Sequence, residues 1–297
     1  MANSVFTNGT IAELGQEAID SLGPTIAAMN AFALGVDSAG KQQGDVVRVP
    51  VYQSATAVDY NASSANYSNE DDGGIVFVDV TLNQRKKSTT GILSRQLSRV
   101  DSQKLIKANM SAVITSVFQD VCGLITSATF GAASFTGAAS TFDLADVADL
   151  WNVAFTGQWS MNDNTMVLNP SYYAALLKDA GIISVDRSGS SEALNRGVVP
   201  SLNGFEVIGA NTLPSNSQNL VGFITDKSAI AVGFGADQAQ VGGSVLSYDV
   251  IQDPVTGMQF AIYEYIAPET RTHKISVEAV YGRSVTRAGS LKRMVSA

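Results

Sequence analysis

A long polar stretch between two segments of alternating apolar and polar residues constrains the fold of this chain most strongly. The alternation runs through residues 44–60 (GDVVRVPVYQSATAVDY) and returns in residues 75–82 (IVFVDVTL), and a period of two is typical of β-strands. Between them, residues 61–74 (NASSANYSNEDDGG) are turn-forming residues, so the pattern predicts an elongated β-hairpin. Because a lone hairpin is only marginally stable in water, we expect it to lie against another surface, for which a neighbouring subunit is the natural candidate.

The rest of the chain predicts a mixed α+β fold in which antiparallel strands dominate. The longest helix is predicted over residues 101–126, where apolar residues recur at spacings of three, four and seven. Shorter helices are predicted over residues 143–154 and from Pro170, and we expect Gly181 to end the second of these in the left-handed conformation. From residue 204 onward, most segments have the alternation of strands.

The predicted helix over residues 101–126 has two apolar stripes, which indicates burial on more than one side. We therefore interpret it as an element of the protein core. Four residues of one stripe are expected to face the interior: Ile106, Met110, Val113 and Val117.

The composition is poor in charge. Only 15% of the residues are charged, against roughly 25% in an average soluble protein. This suits a protein whose surface is largely covered by copies of itself, although an ordinary β-rich domain is also compatible with it. The net charge is −8, and residues 1–40 contain no Lys or Arg. Because nucleic-acid binders rely on basic patches, the sequence offers no strongly basic arm that could grip nucleic acid.

No set of residues with catalytic, cofactor-binding or metal-binding spacing is recognisable. Cys122 is the only cysteine and lies in an apolar run, so we interpret it as a small buried residue that forms no intrachain disulfide. His273 is the only histidine, and we interpret it as an ordinary strand residue. One Cys and one His do not make a clustered metal site. We therefore expect a non-enzymatic protein with no cofactor. The sequence also shows no signal peptide and no apolar run of about 18 residues, the length that a membrane span needs.

Two clusters of opposite charge accompany the predicted hairpin, one acidic at its tip and one basic after its second strand. They are Glu70, Asp71 and Asp72 on one side, and Arg85, Lys86 and Lys87 on the other. We expect both to make ion pairs between subunits, where charge complementarity sets the register. The acidic triplet could instead bind a divalent cation, but it lacks the alternating spacing of a calcium loop. The basic run could instead contact nucleic acid.

Several segments resemble, in their order and spacing, the major capsid proteins of tailed bacteriophages, the family with the Hong Kong-97-type shell fold. The resemblance extends from residue 44 to residue 287. It is carried by these segments: GDVVRVPVY (44–52), SRQLSRVDSQKLIKANMSAVI (94–114), TMVLNPSYYAALLKDAGI (165–182), LNRGVVPSLNGFEVIGANTLP (194–214), GFITDKSAIAVGFG (222–235) and DPVTGMQFAIYEYIAPETRTHKISVEAVYGRSVTR (253–287).

The resemblance implies a Hong Kong-97-type phage capsid fold of the α+β class, with parts that can be placed along the chain. The implied parts are an N-terminal arm (1–40), an extended loop formed by the long β-hairpin (41–95), a peripheral domain with a long spine helix (96–139), an axial domain (140–245), return strands of the peripheral domain (246–270) and a C-terminal segment that rejoins the axial domain (271–297). In the family, the extended loop reaches over an adjacent subunit, and the axial domain packs around five-fold and six-fold axes.

The function implied by the resemblance is that of a major capsid protein, the viral coat protein of the virion. Such proteins self-assemble as pentamers and hexamers into the icosahedral head that encloses the phage genome, and assembly occurs in the cytoplasm of the bacterial host. The implied partners are other copies of the chain, a portal protein, a scaffolding protein, a possible decoration protein and packaged double-stranded DNA that is contacted weakly and non-specifically. No membrane partner is expected. Two alternatives are an encapsulin-type cargo compartment and, more distantly, a β-rich adhesion or binding protein.

The lysine distribution favours a shell that is held together without covalent cross-links. Some members of the family join subunits through a lysine of the extended loop, but no lysine occurs between Lys41 and Lys86 in this chain. Only an arm-length segment precedes Gly44, the start of the first family-like strand, and Gly23-Pro24 interrupts its helical stretch. We therefore expect a separate scaffolding protein and no fused scaffolding segment.

Overall fold

The fold is seen in a computed structural model. The structure describes residues 16, 29, 33–36, 41–52, 75–93, 102–160, 163–183, 197–199, 201–237, 243–253 and 257–297. In these residues, three sheets and a set of helices surround two large hydrophobic cores and a small third one. The chain is therefore mixed α+β, as the sequence predicts, but it also has three parallel strand pairs that the sequence analysis did not assign.

The largest sheet is organised around one 14-residue strand, β12, which pairs antiparallel with three others. Its strands are β1 (Ala33–Val36), β4 (Gln84–Leu93), β9 (Ile230–Gly235), β10 (Val245–Gln252), β11 (Gln259–Ala267) and β12 (Thr272–Val285). Their order is β1-β9-β12-β11-β10, and β4 pairs with β12 beside this path. Because β12 contacts β4, β9 and β11, it ties together segments that are far apart in sequence.

The longest helix, α1 (Ser102–Cys122), packs across this sheet. Ile106, Met110, Val113 and Val117 are at most 1% exposed and belong to the core that α1 shares with β12. The structure thus places all four residues of the predicted stripe in the interior.

A buried polar side chain, Asn109, fixes how α1 lies on the sheet. The hydroxyls of Ser88 and Thr90 donate to its Oδ1 at 3.0 and 2.8 Å, and its amide donates to the carbonyl of Ile275 at 3.4 Å. A buried polar group is destabilising unless its hydrogen bonds are made. These bonds therefore favour one register of α1 against β4 and β12.

A second sheet lies between α1 and two shorter helices. Its strands, in order, are β5 (Phe135–Thr136), β13 (Leu291–Val295), β8 (Leu220–Asp226), β6 (Asn164–Leu168) and β7 (Phe205–Gly209). One face, with Phe223, shares the core of α1, and the other face, with Ile224, packs in the second core together with α3 (Leu144–Thr156) and α4 (Pro170–Lys178). Both faces are covered, which explains why β6 is buried throughout.

Side-chain caps start both of these helices where the sequence predicts. Asp143 accepts the backbone N–H groups of Ala145 and Asp146, and Asp146 accepts that of Asp143, which is a capping box. Asn169 caps α4 by accepting the N–H of Tyr172 at 3.1 Å. Caps of this kind contribute about 1 kcal/mol each.

The prediction that Gly181 ends α4 in the left-handed conformation is wrong. The helix ends at Lys178, and Gly181 lies inside a short helix, α5 (Ala180–Ile183). Asp179 separates α4 from α5, because its carboxylate accepts the N–H groups of Gly181 and Leu144 at 2.6 and 3.1 Å. An aspartate that bonds to the backbone two residues on replaces the expected glycine.

The predicted hairpin forms the third sheet. β2 (Val46–Tyr52) and β3 (Ile75–Thr81) pair antiparallel, with Val46 opposite Thr81 and Tyr52 opposite Ile75. No α-helix among the described residues is long and apolar enough to cross a membrane.

A short α-helix, α2 (Ser127–Phe130), follows α1 and buries the side chain of Phe130.

Candidate assembly surface

The far end of the β2–β3 hairpin exposes large apolar side chains. Tyr52 is 71% exposed, Phe77 57% and Ile75 49%. The register places these three on one face of the hairpin, and Val76 is exposed on the other. Apolar groups that are exposed together commonly mark a surface that binds another protein. The hairpin end is therefore the candidate interaction site of the molecule.

The root of the same hairpin is held tightly against the large sheet. Val80 and Leu82 are fully buried, and Val49 and Val80 form a small core with Ala231 of β9. The hairpin is thus anchored at one end while its apolar far end has no such cover among the described residues.

Two glycines make this close approach possible. A methyl group added at Gly235 would lie 2.6 Å from the carbonyl oxygen of Lys41, and one added at Gly282 would overlap the carbonyl of Thr81. Real Cβ atoms do not come so close to backbone atoms. No local sequence pattern indicates this role of the two glycines, because the residues that they approach are distant in the chain.

An exposed cross-strand ion pair lies on the hairpin itself. Arg48 Nε donates to Asp79 Oδ1 at 2.9 Å, and the two residues are directly opposite each other. The hydrogen bond to Asp79, helped by its charge, raises the pKa of Arg48. Because both side chains are solvated, we expect this pair to contribute little to stability.

The basic cluster makes ion pairs within the chain. Arg85 Nε donates to Glu278 Oε2 at 3.0 Å and Arg85 Nη1 to Asp237 Oδ2 at 3.2 Å, while Lys87 Nζ lies 3.2 Å from Glu278 Oε1. Glu278 is only 5% exposed, so it is a buried carboxylate compensated by two cations. The hydrogen bond to Glu278 raises the pKa of Arg85, although partial burial opposes the shift.

The other residues of the two predicted charge clusters are placed differently. Lys86 lies half-buried opposite Ala279, on the other face of β4. Glu70, Asp71 and Asp72 lie outside the described residues. Ion pairing between subunits through these clusters stays a prediction.

The end of α1 is held by contacts that the sequence analysis missed. Tyr281 donates its hydroxyl to Asp120 Oδ2 at 2.7 Å, and Arg283 Nε donates to the same oxygen at 2.9 Å. Burial, followed by the bond to Asp120, raises the pKa of Tyr281. Asn216 closes the helix end by donating to the carbonyls of Cys122 and Ile125. No local pattern could have revealed these pairs, since they join residues about 90 to 160 positions apart.

The groups that could perform chemistry are not assembled into a site in the described part of the chain. Cys122 is fully buried, and burial raises the pKa of its thiol. His273 Nδ1 lies 4.0 Å from the buried carboxylate of Glu264. Among the described residues, no group of three or more His, Cys, Asp or Glu side chains could hold a metal ion.

A polar cleft of about 330 Å³ lies at one end of the second sheet. Its lining includes Asp163, Glu206 and Lys227. Since a lysine shares the cleft with the two carboxylates, its charge opposes the binding of a cation.

Comparison with known proteins gives a consistent result at the level of the fold. No protein-family profile and no curated protein matches the sequence. The capsid of a native GTA particle matches with a TM-score of 0.58 and 14% identity over 92% of this chain and 90% of that chain. The capsid of cyanophage P-SCSP1u matches with a TM-score of 0.55 and 14% identity over 90% and 89%. A virus-like particle from Pyrococcus furiosus matches with a TM-score of 0.53 and 15% identity over 95% and 97%.

These structures define a class: the chain has the fold of proteins that build capsid shells. The capsid of cyanophage P-SCSP1u is one of these matches and the mature capsid of bacteriophage PhiM1 is another, so the fold is that of phage capsid proteins. This confirms the resemblance that the sequence indicated. Each likeness extends over at least 89% of the matched chain, so it concerns the whole fold and not one motif.

Proposed function

We propose that this protein is the major capsid protein of a tailed bacteriophage, which self-assembles as pentamers and hexamers into the icosahedral head around the genome. The observation that carries the proposal is the hairpin, whose root is buried in its own subunit while Tyr52 and Phe77 stay exposed at the far end. The fold shared with capsid proteins over most of the chain supports the same conclusion.

In this proposal, the extended loop over residues 41–95 lies on an adjacent subunit and buries Tyr52, Ile75 and Phe77 there. Removing apolar surface from water is favourable by about 25 cal/mol per Å². One such contact is modest, but each subunit makes it in a closed ring, so repetition holds the shell together. The acidic triplet Glu70-Asp71-Asp72 and the basic triplet Arg85-Lys86-Lys87 would set the register between neighbours.

We keep the domain bounds given above, with α1 as the spine helix of the peripheral domain (96–139) and with α3 and α4 in the axial domain (140–245). Within these bounds, the large sheet takes up β9 from the axial range and β12 from the C-terminal segment (271–297), so the chain passes between the two sheets twice near its C-terminal side. Residues 1–40 would form the N-terminal arm.

The proposed partners follow from the role in a virion. They are other copies of the chain, a portal protein, a separate scaffolding protein, a possible decoration protein and the packaged DNA, which an acidic chain would touch weakly. Assembly would take place in the host cytoplasm. With no lysine between Lys41 and Lys86, the shell would be non-covalent, so mature particles should give a single band in denaturing electrophoresis.

Assembly can be tested directly with the expressed chain and its genuine assembly partners. Sedimentation followed by negative-stain electron microscopy should show closed shells built from rings of five and six. A population of monomers and small oligomers only would contradict the proposal.

A second candidate is an encapsulin-type compartment, which the likeness to the virus-like particle from Pyrococcus furiosus favours. Such a shell would also close, but it would hold a protein cargo. Purified particles separate the two functions: packaged double-stranded DNA supports the phage head, whereas a co-purifying cargo protein without DNA supports the compartment.

A further inference from the structure

One carboxylate, that of Asp237, is bonded to both legs of the hairpin. The legs are the segments that join the β2–β3 pair to the large sheet, residues 41–45 and 82–85. On the first leg, the backbone N–H of Gln43 donates to Asp237 Oδ1 at 3.0 Å. On the second leg, Arg85 Nη1 donates to Asp237 Oδ2 at 3.2 Å. Each oxygen of the carboxylate therefore holds one leg.

The backbone around Asp237 is itself held against the large sheet. Asp237 comes two residues after the end of β9, and its carbonyl accepts the hydroxyl of Tyr248 in β10 at 2.6 Å. Burial raises the pKa of Tyr248 to about 12, so its hydroxyl stays a donor at neutral pH. The N–H of Ala236 donates to the carbonyl of Lys41 at 3.1 Å, which adds a backbone bond to the first leg. Asp237 thus ties both legs to β9 and β10.

The length of the hairpin amplifies any change of direction at its root. Tyr52 lies nine residues beyond Gln43, which corresponds to about 30 Å of strand at about 3.3 Å per residue. Over that length, turning the hairpin by about 10° would move its far end by about 5 Å. Apolar contacts need heavy atoms within about 4.5 Å of each other. A small change of direction would therefore separate the far end from a surface that it contacts.

We propose that Asp237 is a positioning residue, whose carboxylate fixes the direction of the hairpin so that its apolar end reaches the neighbouring subunit. The inference rests on the proposed self-assembly and assigns a residue that this contact requires. The side chains of Asp237 and Arg85 are 27% and 40% exposed, and an ion pair this exposed contributes little to stability. The buried residues Val80 and Leu82 keep the hairpin attached. Loss of the carboxylate should therefore change the direction of the hairpin more than the stability of the fold.

The variant Asp237→Asn tests the proposal, because an amide has one acceptor oxygen where a carboxylate has two. The amide nitrogen would face another donor, either the N–H of Gln43 or the guanidinium of Arg85, and one leg would be released. Asp45→Asn is the matched control, since it removes the same charge from the first leg. Asp45 Oδ2 accepts the N–H of Gln42 at 2.9 Å, a bond that the amide oxygen can keep.

The direction of the hairpin can be measured in the free subunit, before the assembly partners are added. Spin labels at Ile75→Cys, on the far end, and Val250→Cys, on β10, give a distance by pulsed electron paramagnetic resonance. Both positions are exposed, and the native Cys122 is fully buried, so the labels go to the introduced cysteines. The distance distribution should be narrow with Asp237 intact and in Asp45→Asn, and about 5 Å wider in Asp237→Asn. Asp237→Ala, which removes both acceptors, should widen it further.

Shell assembly of the unlabelled chains supplies a second measurement. Asp237→Asn should lower the yield of closed shells by about tenfold, since each misplaced apolar contact weakens the association of subunits. Asp45→Asn should assemble like the wild-type chain. The two variants should unfold at the same temperature, which separates an effect on direction from an effect on stability.

Three results would overturn the inference. They are equally narrow distance distributions in Asp237→Asn and Asp45→Asn, a normal yield of shells from Asp237→Asn, and equal losses of assembly in both variants. Failure of the wild-type chain to form any shell would instead contradict the proposed function, and with it the role of Asp237 in assembly. The distances in the free subunit would then still decide whether Asp237 fixes the direction of the hairpin.

Discussion

The helix α1 and the far end of the β2–β3 hairpin have similar apolar residues but differ in how far the subunit buries them. Both are rich in apolar side chains, but Ile106, Met110 and Val117 are completely buried by the subunit itself, whereas Tyr52 and Phe77 are more than half exposed. Polar side chains at Asn109 and Asp120 hold the helix in place, whereas the described contacts of the hairpin with the large sheet lie at its root. The apolar residues of α1 therefore stabilise the subunit, whereas we propose that those of the hairpin end contact a neighbouring subunit.

This difference predicts that substitutions separate into two groups. Changes in α1 and at the hairpin root should lower the free energy of unfolding of the subunit. Changes at the hairpin end should leave that free energy nearly unchanged and should act on assembly.

Val113→Asp should abolish soluble folding. Val113 is 1% exposed, so the substitution would leave an unpaired charge in the core, at a cost of at least about 3–5 kcal/mol. This is comparable to the whole stability of many domains. Ala112→Asp, on an exposed position of the same helix, is the control and should stay soluble. Thermal unfolding of Val113→Asp at the wild-type temperature would show that α1 is not the core element described.

Gly282→Ala should destabilise the subunit by about 1–3 kcal/mol, as overpacking in a tight site commonly does. The added methyl group would overlap the backbone of Thr81 and push the hairpin root away from β12. Gly289→Ala, which has open space around it, is the matched control. Denaturant unfolding and limited proteolysis of residues 41–95 measure the effect. If the two variants behave alike, the close contact at Gly282 does not hold the hairpin root against the sheet.

Asn109→Ala should cost about 1–3 kcal/mol, because the hydroxyls of Ser88 and Thr90 would lose their acceptor inside the protein. Asn152→Ala, on the exposed side of α3, provides the comparison and should be close to neutral. Chemical denaturation of both variants gives the difference. A neutral Asn109→Ala would mean that the polar anchor does not fix the helix register.

Tyr52→Ser/Phe77→Ser should change the unfolding free energy by less than about 0.5 kcal/mol, since both side chains are exposed in the subunit. The same variant should nevertheless fail to form shells. Val250→Ser, exposed on β10, is the control for both measurements and should assemble. Normal shells from the double variant would show that the hairpin end is not one of the contacts that assembly needs.

The sequence was sufficient for features that depend on local patterns. The alternation in the hairpin, the apolar stripes of α1 and the caps Asp143 and Asn169 all follow from side chains close together in the chain. Strand pairing cannot be predicted in this way, because the partner of a strand is not indicated by the residues close to it in the chain. The strands β9 and β13 were not assigned, and their parallel or mixed pairings arise only when distant segments meet.

The candidate surface was predictable only in outline. Its hairpin could be expected, but the residues that close its root could not, since Gly282 touches a strand about 200 positions away. The partners of charged side chains could not be predicted for the same reason. Arg85 was expected to pair across subunits, and its partner Glu278 within the chain is separated from it by 193 positions.

A cryo-electron microscopy reconstruction of the assembled particle tests the central claim most directly. It should show a closed shell in which Tyr52, Ile75 and Phe77 of each subunit are buried against the neighbouring subunit, while Ile106 and Val113 keep the contacts within their own subunit. A shell in which the hairpin end stays in solvent would contradict the claim that this surface drives assembly.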